Sequence, residues 1–299
     1  MRAIVTTTPG TLQLIQTPIP EPGPGELRIR VAAAGVNAAD VTTREGVFQQ
    51  LGWINQPEHT GLGWDLAGTV DALGPGVAGP AVGTGVAALL DTIDVPLGAY
   101  AEFTVVPAAG VAVLPDGMDP IVAATVPLNA LTAAQALDLI DPAQGRRLLI
   151  TGAAGGVGGY AVALASRRGW QVSALARSGD AEFLRDAGAT ELLTELPGTA
   201  SFDAVVDPAV LVGAALAEVR DRGAYVGVVS AAVPESVRGI RTVAVRVHHD
   251  GARLAELLAQ VAMGALATRV AGTLPLADAA QAQANMEKGG QRGRWVLLP

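Results

Sequence analysis

The chain has 299 residues, half of them hydrophobic and 16% charged, which excludes a disordered tail or a small stapled scaffold and is enough for two domains with their own cores. Cysteine is absent, so disulfides, thiolate zinc ligands, iron–sulfur clusters and cysteine nucleophiles are excluded together. A formal net charge of -8 argues against nucleic acid or an anionic membrane as partner, and the single lysine, Lys288, leaves little room for lysine chemistry.

The N-terminal Met1-Arg2-Ala3-Ile4-Val5 has no long apolar stretch before Pro9-Gly10, so no signal peptide is expected and residues 2–6 read as a strand. Pro22-Gly23-Pro24-Gly25 makes a turn, and Glu26 to Val31 alternates polar and apolar residues at period two, as a half-buried strand does. Further strands over 66–72, 99–106 and 111–113 make the first third a β-rich domain. Residues 72–90 and 148–166 are uncharged, but Gly and Pro interrupt the first and five glycines the second, so neither reads as a membrane span. The expectation is a soluble cytoplasmic protein.

After Leu114-Pro115-Asp116-Gly117 the pattern changes. A helix is predicted around 120–139, then strands over 147–151, 171–176, 203–207 and 224–229, with helical stretches over 156–168, 180–187 and 209–221 between them. This alternation predicts an α/β fold with a doubly wound parallel sheet. Residues 42–60 and 231–246 show no readable regularity. The tail offers a strand over 269–273, a helix over 277–287 and a last strand over 294–298.

Apolar Leu148-Leu149-Ile150 runs into Thr151-Gly152-Ala153-Ala154-Gly155-Gly156-Val157-Gly158-Gly159 and then into an Ala/Val/Leu helix. Strand, glycine turn and helix in that order suit a dinucleotide. Gly155 lets the backbone approach a pyrophosphate, Gly158 lets the helix pack on the strand, and the helix N-terminus supplies free amides. Ala153 stands where the G-x-G-x-x-G pattern has its first glycine. At the end of the next strand an NAD site usually places a carboxylate, whereas this chain runs Ala176-Arg177-Ser178. Arg177 can pair with a 2′-phosphate and Ser178 can donate to it, which favours NADPH.

Taken together, Val31 to Asp40 (VAAAGVNAAD), Gly63 to Val70 (GWDLAGTV), Gly98 to Phe103 (GAYAEF), Gly152 to Gly158 and Arg292 to Leu297 (RGRWVL) resemble the zinc-independent quinone oxidoreductase, zeta-crystallin-like, branch of the medium-chain dehydrogenase/reductase superfamily. The resemblance implies a GroES-like catalytic domain over 1–117 and 264–299, a Rossmann NADPH-binding domain over 118–263, and a homodimer. Zinc-dependent relatives carry cysteine and a His-Glu pair; here the pair's position holds Trp64-Asp65, so no metal is expected. Gly46-Val47-Phe48 lacks the hydroxyl of the branch's Gly-x-Tyr, and the lysine usual near the adenosine phosphate is missing.

With no metal, cysteine or suitable lysine, the reactive group belongs to the cofactor, and hydride transfer to an already polarised acceptor is the natural reaction. Asn37 is the candidate donor to a developing oxyanion, as the resemblance places this amide beside the nicotinamide ribose. Asp40 divides between a site role and a helix N-cap, and Asp65 reads as a loop anchor. Phe48 and Trp64, with Trp53, offer an aromatic wall for a flat acceptor. The resemblance also puts Asn129 and Thr132 on the helix next to the nicotinamide, with Val228-Val229-Ser230 ending the strand beneath it. Arg292 and Arg294 read as surface arginines or phosphate contacts, and the three histidines as structural. Quinone reduction leads, with reduction of an activated alkene (enone or enoyl) and a non-catalytic NADPH sensor as alternatives.

Overall fold

The computed structural model describes residues 1–299. In chain order the first elements are β1 (Arg2–Thr6), β2 (Gln13–Gln16), β3 (Glu26–Gly35), α1 (Ala38–Arg44), α2 (Val47–Gln50), β4 (Thr60–Gly61), β5 (Asp65–Leu73), β6 (Gly85–Leu89), β7 (Phe103–Pro107), β8 (Val111–Val113) and the short α3 (Pro120–Ala123). Then follow α4 (Pro127–Asp138), β9 (Arg147–Ile150), α5 (Gly156–Arg167), β10 (Gln171–Leu175), α6 (Ala181–Asp186), β11 (Glu191–Leu193), β12 (Phe202–Asp207), α7 (Gly213–Ala217), β13 (Val219–Gly227) and β14 (Arg241–Ala244). The chain closes with α8 (Gly251–Ala262), β15 (Val270–Pro275), α9 (Ala279–Glu287) and β16 (Arg294–Leu298).

Two compact units result: Met1–Leu128 with His248–Pro299, and Asn129–Val247. These limits differ from the expected 118–263 for the second domain. At the far end the reason is α8, an element the sequence reading passed over. It packs on β8 of the first unit, with Gly251 against the carbonyls of Ala109 and Val111, and its N-cap Asp250 accepts the amide of Arg253 at 2.9 Å.

In the first unit a sheet runs in the order β15-β16-β3-β5-β6-β8, with β7 also on β3. Leu27, Ile29 and Val31 of β3 are buried while Arg28 and Arg30 point outward, as the period-two pattern predicts. Those leucine and isoleucine side chains join Leu66, Val70, Val86, Tyr100 and Leu297 in one core. The strand expected over 99–106 begins only at Phe103, because Tyr100 bonds instead to Leu62 and Ile4 through its backbone.

The second unit is a six-stranded, wholly parallel sheet in the order β11-β10-β9-β12-β13-β14. That order, 3-2-1-4-5-6 within the unit, is the doubly wound dinucleotide arrangement, with its switch point between β9 and β12. Leu149, Phe202, Val205, Leu216 and Tyr225 form its core. The helix predicted over 209–221 shrinks to α7, since Val219 already belongs to β13 and pairs with Phe202. No helix of the chain is long and apolar enough to cross a membrane.

Candidate functional site

The glycine turn leaves the carboxyl end of β9 at the switch point. Gly152 has φ +52°, a conformation that L side chains rarely adopt. A Cβ on Gly158 would lie 2.2 Å from the carbonyl oxygen of Gly152 and 2.8 Å from Cα of Ala153, so glycine is what lets α5 seat against the turn. Ala153 and Ala154 are buried, and the Ala153 amide bonds the Leu175 carbonyl at 3.0 Å, which ties the turn to β10. Gly155 is the N-cap of α5; Gly155 and Gly156 are exposed, Val157 half-buried, and the first amides of the helix have no acceptor within it.

A buried polar group that the sequence reading missed braces this end of the sheet. Asp207, fully buried at the end of β12, accepts from the hydroxyl of Thr151, from Tyr225 at 2.8 Å and from the Val212 amide at 2.8 Å. Thr151 in turn accepts the Ala209 amide at 3.1 Å. Burial, together with Asp207, pushes the Tyr225 phenol up. Each member is an ordinary strand residue in sequence; only the parallel register of β9, β12 and β13 brings them together.

The remaining residues expected to bind cofactor lie as follows. Asn129 and Thr132 are buried on α4, and the Asn129 Nδ2 has no hydrogen-bond partner in the chain. Ala176 is half-buried, while Arg177 and Ser178 follow β10 and are exposed. Val228, Val229 and Ser230 come just after β13, which stops at Gly227 rather than running to 229; Val229 and Ser230 are exposed. An unpaired buried amide on Asn129, a turn against which Gly158 admits no Cβ, and the first amides of α5 together fit a dinucleotide.

In the first unit, Asn37 is the N-cap of α1 and Asp40 its third residue. Asp40 is therefore not the N-cap: fully buried, it accepts the amides of Asn37 at 2.8 Å and Gly63 at 2.9 Å and the hydroxyl of Tyr100 at 3.0 Å. The Asn37 side chain is likewise committed. Its Nδ2 donates to Asp65 at 3.0 Å and to the Gly35 carbonyl at 3.3 Å, and its oxygen accepts from Arg294. No proton of this amide remains for an acceptor's oxyanion, so the expected role of Asn37 gives way to a positioning one.

Asp65 also accepts the Leu128 amide at 2.6 Å and stands 3.7 Å from Arg294, in keeping with an anchor. Burial pushes Asp65 up to about 6, against the pull of Arg294 and Asn37, and pushes Asp40 up to about 7, against its three donors. Burial and Asp40 raise the Tyr100 phenol. Arg294, read from sequence as a surface or phosphate-contact arginine, belongs to this cluster with its side chain 15% exposed. Around the cluster, Trp64 is half-buried with its carbonyl accepting the Leu90 amide at 2.7 Å, and Phe48 stacks on Trp53. His249 bonds Asp91 at 2.9 Å.

Residues 23–116 match the alcohol dehydrogenase GroES-like domain family, and residues 181–297 the zinc-binding dehydrogenase family. A mycobacterial protein solved in complex with NADPH is 30% identical, with TM-score 0.82 and 100% of both chains covered. The quinone oxidoreductase of Coxiella burnetii is 26% identical, with TM-score 0.87 over 100% of this chain and 99% of that one. The chain belongs to the medium-chain dehydrogenase/reductase superfamily, with its GroES-like and NAD(P)-binding Rossmann folds. The pikromycin polyketide synthase component PikAII of Streptomyces venezuelae is 40% identical over 186 residues, 62% of this chain. This chain covers only 4% of that protein.

Proposed function

We propose that the chain is an NADPH-dependent quinone oxidoreductase that delivers a hydride to its acceptor without a metal. The observation that carries this reading is the mutual commitment of Asn37, Asp40 and Asp65. Trp64 offers no lone pair to a metal, and the Asp65 carboxylate beside it is taken up by an amide, a carboxamide and a guanidinium. The protein thus holds no strong acid or Lewis acid at this position, and an acceptor that is already polarised suits it best.

NADPH, when bound, supplies the hydride. On this reading the Gly152–Gly158 turn and the first amides of α5 hold its pyrophosphate, and Arg177 and Ser178 take its 2′-phosphate. Asn129 and Thr132 face the nicotinamide end, where the unpaired Asn129 Nδ2 gains an acceptor, and the backbone of Val228, Val229 and Ser230 binds the carboxamide. Phe48 and Trp64 wall the acceptor. A hydroquinone takes its protons from water, so the lack of a tyrosine at Phe48 costs quinone reduction little. The same reading includes a homodimer, for which β14 offers an unpaired sheet edge.

Loss of NADPH absorbance is followed with a naphthoquinone, a simple enone and an enoyl thioester, with NADH in parallel. Turnover with quinone, and NADH at least about tenfold poorer, is the expected result for a charge-assisted contact at the 2′-phosphate. Turnover confined to the enone or thioester moves the protein to the alkene reductases, and tight NADPH binding with no turnover to a sensor.

A further inference from the structure

In the second unit the segment that follows β12, Pro208 to Val212, holds a backbone conformation that its residues resist. Val210 has φ +56° and Val212 φ +53°. Of the six residues other than glycine with positive φ, these are the two β-branched ones, for which that region is a genuine outlier. Burial of the segment's own side chains does not offset the strain, as Val210 and Leu211 are 39% and 38% exposed. Such backbone persists only where its surroundings over-determine it.

Here the hold is polar and comes from the sheet. Oδ2 of the fully buried Asp207 accepts the Val212 amide and the Tyr225 hydroxyl, and its Oδ1 accepts from Thr151. A carboxylate only accepts, so the Thr151 hydroxyl donates its proton to Asp207 and offers its lone pairs to the Ala209 amide, 3.1 Å away. Ala209 is thereby held against Gly152: a Cβ on Gly152 would lie 3.1 Å from the Ala209 Cβ and 3.3 Å from its amide nitrogen. The Gly152 carbonyl in turn accepts the Gly155 amide at 2.8 Å, and α5 seats on that same carbonyl at Gly158. An unbroken line of contacts, all within one unit, runs from Thr151 through Ala209 to the glycine turn.

We propose that Thr151 is a positioning residue for the dinucleotide: its hydroxyl, bonded to Asp207 and to Ala209 at once, holds the strained segment against Gly152 and so keeps the turn in the shape that receives a pyrophosphate. The inference rests on the dinucleotide-binding part of the reading above. Without the hydroxyl, strain drives residues 208–212 toward relaxed backbone, Gly152 loses its backing, and the binding-competent turn becomes a minor state. Apparent affinity falls with the fraction of chains that keep the competent form, so a fraction of about one tenth weakens Kd about tenfold.

The test is a fluorescence titration with NADPH, without turnover, of the wild type, Thr151→Val, Thr151→Ser, Ala209→Gly and Phe202→Leu. Thr151→Val removes both bonds and is expected to raise Kd about tenfold, whereas Thr151→Ser keeps the hydroxyl and stays within about twofold of the wild type. Phe202→Leu disturbs the core of the same unit at the other end of β12; it should lower the melting temperature and leave Kd within about twofold. Ala209 is exposed, so Ala209→Gly decides the matter if Thr151→Val does not fold: it removes only the methyl beside Gly152 and should raise Kd about threefold. In the ligand-free protein the amide resonances of Gly155 and Gly158 report the turn itself, with exchange broadening expected in Thr151→Val and absent from the wild type and Thr151→Ser. An unchanged Kd in Thr151→Val or Ala209→Gly, equal losses in the Val and Ser variants, or an equal loss in Phe202→Leu overturns the proposal. Tight NADPH binding with no quinone turnover sinks the reductase reading and leaves Thr151 in its role; a wild type that binds no dinucleotide overturns both.

Discussion

Arg294, on the last strand, donates to the side-chain oxygen of Asn37, 257 positions earlier in the chain. The register explains the meeting: β16 runs antiparallel to β3 with Val296 opposite Gly35 and Leu297 opposite Ala34, and two residues further along Arg294 comes opposite Asn37. The C-terminal strand thereby supplies the counter-charge for a carboxylate, Asp65, that has no exposure at all.

Removing that counter-charge is expected to be costly. Arg294→Met leaves Asp65 buried without its cation and Asn37 without a donor, and should destabilise the first unit by about 3 kcal/mol. A urea unfolding curve followed by tryptophan fluorescence measures it, and a midpoint equal to that of the wild type would show that the pair contributes nothing.

The two raised carboxyls predict the direction of a pH effect. Burial lifts Asp40 to about 7 and Asp65 to about 6 from an ordinary 3.8, so between these values the folded chain keeps protons that the unfolded chain releases. Their contribution to stability is complete below about pH 4 and is lost as pH rises through 6 and 7. Melting temperatures across pH 5 to 8 should fall more steeply in the wild type than in Asp40→Asn, which cannot titrate. Parallel slopes would show that Asp40 is ionised throughout.

Gly158→Ala should displace α5 from the turn, given a Cβ that would come within 2.2 Å of a carbonyl oxygen. The expected result is NADPH affinity weakened at least about tenfold, with a lower melting temperature, since overpacking costs about 1–3 kcal/mol. Gly155→Ala, whose nearest neighbour would lie at 3.0 Å, should cost less. A fluorescence titration with NADPH separates the two.

Tyr225→Phe takes one donor from the buried Asp207 and should lower stability by about 1–2 kcal/mol. Thr151→Val removes both the donor to Asp207 and the acceptor for Ala209, and should lower stability further. Hydrogen exchange at the amides of Ala209 and Val212 reports whether the loop after β12 loosens, as this arrangement requires.

Local signals in the sequence went a long way. Period-two alternation located β3, and the run from Leu148 to Gly158 located the glycine turn between β9 and α5, because strand, tight turn and helix are adjacent in the chain and each depends on its own residues. Where an element takes its identity from a distant partner the pattern was silent. Helix α8 lies against β8, and the residues after α7 pair with β12 at once instead of continuing the helix.

The cluster around Asn37 shows the same division at the level of chemistry. Residue types alone excluded cysteine chemistry and located a glycine turn between a strand and a helix. They did not show that Asn37 has both amide protons engaged, that Asp40 lies under Tyr100, or that Arg294 turns inward. Hydrogen-bond capacity belongs to a residue, but its use depends on which strands stand opposite, and the pairing of β16 with β3 joins residues that no local pattern relates.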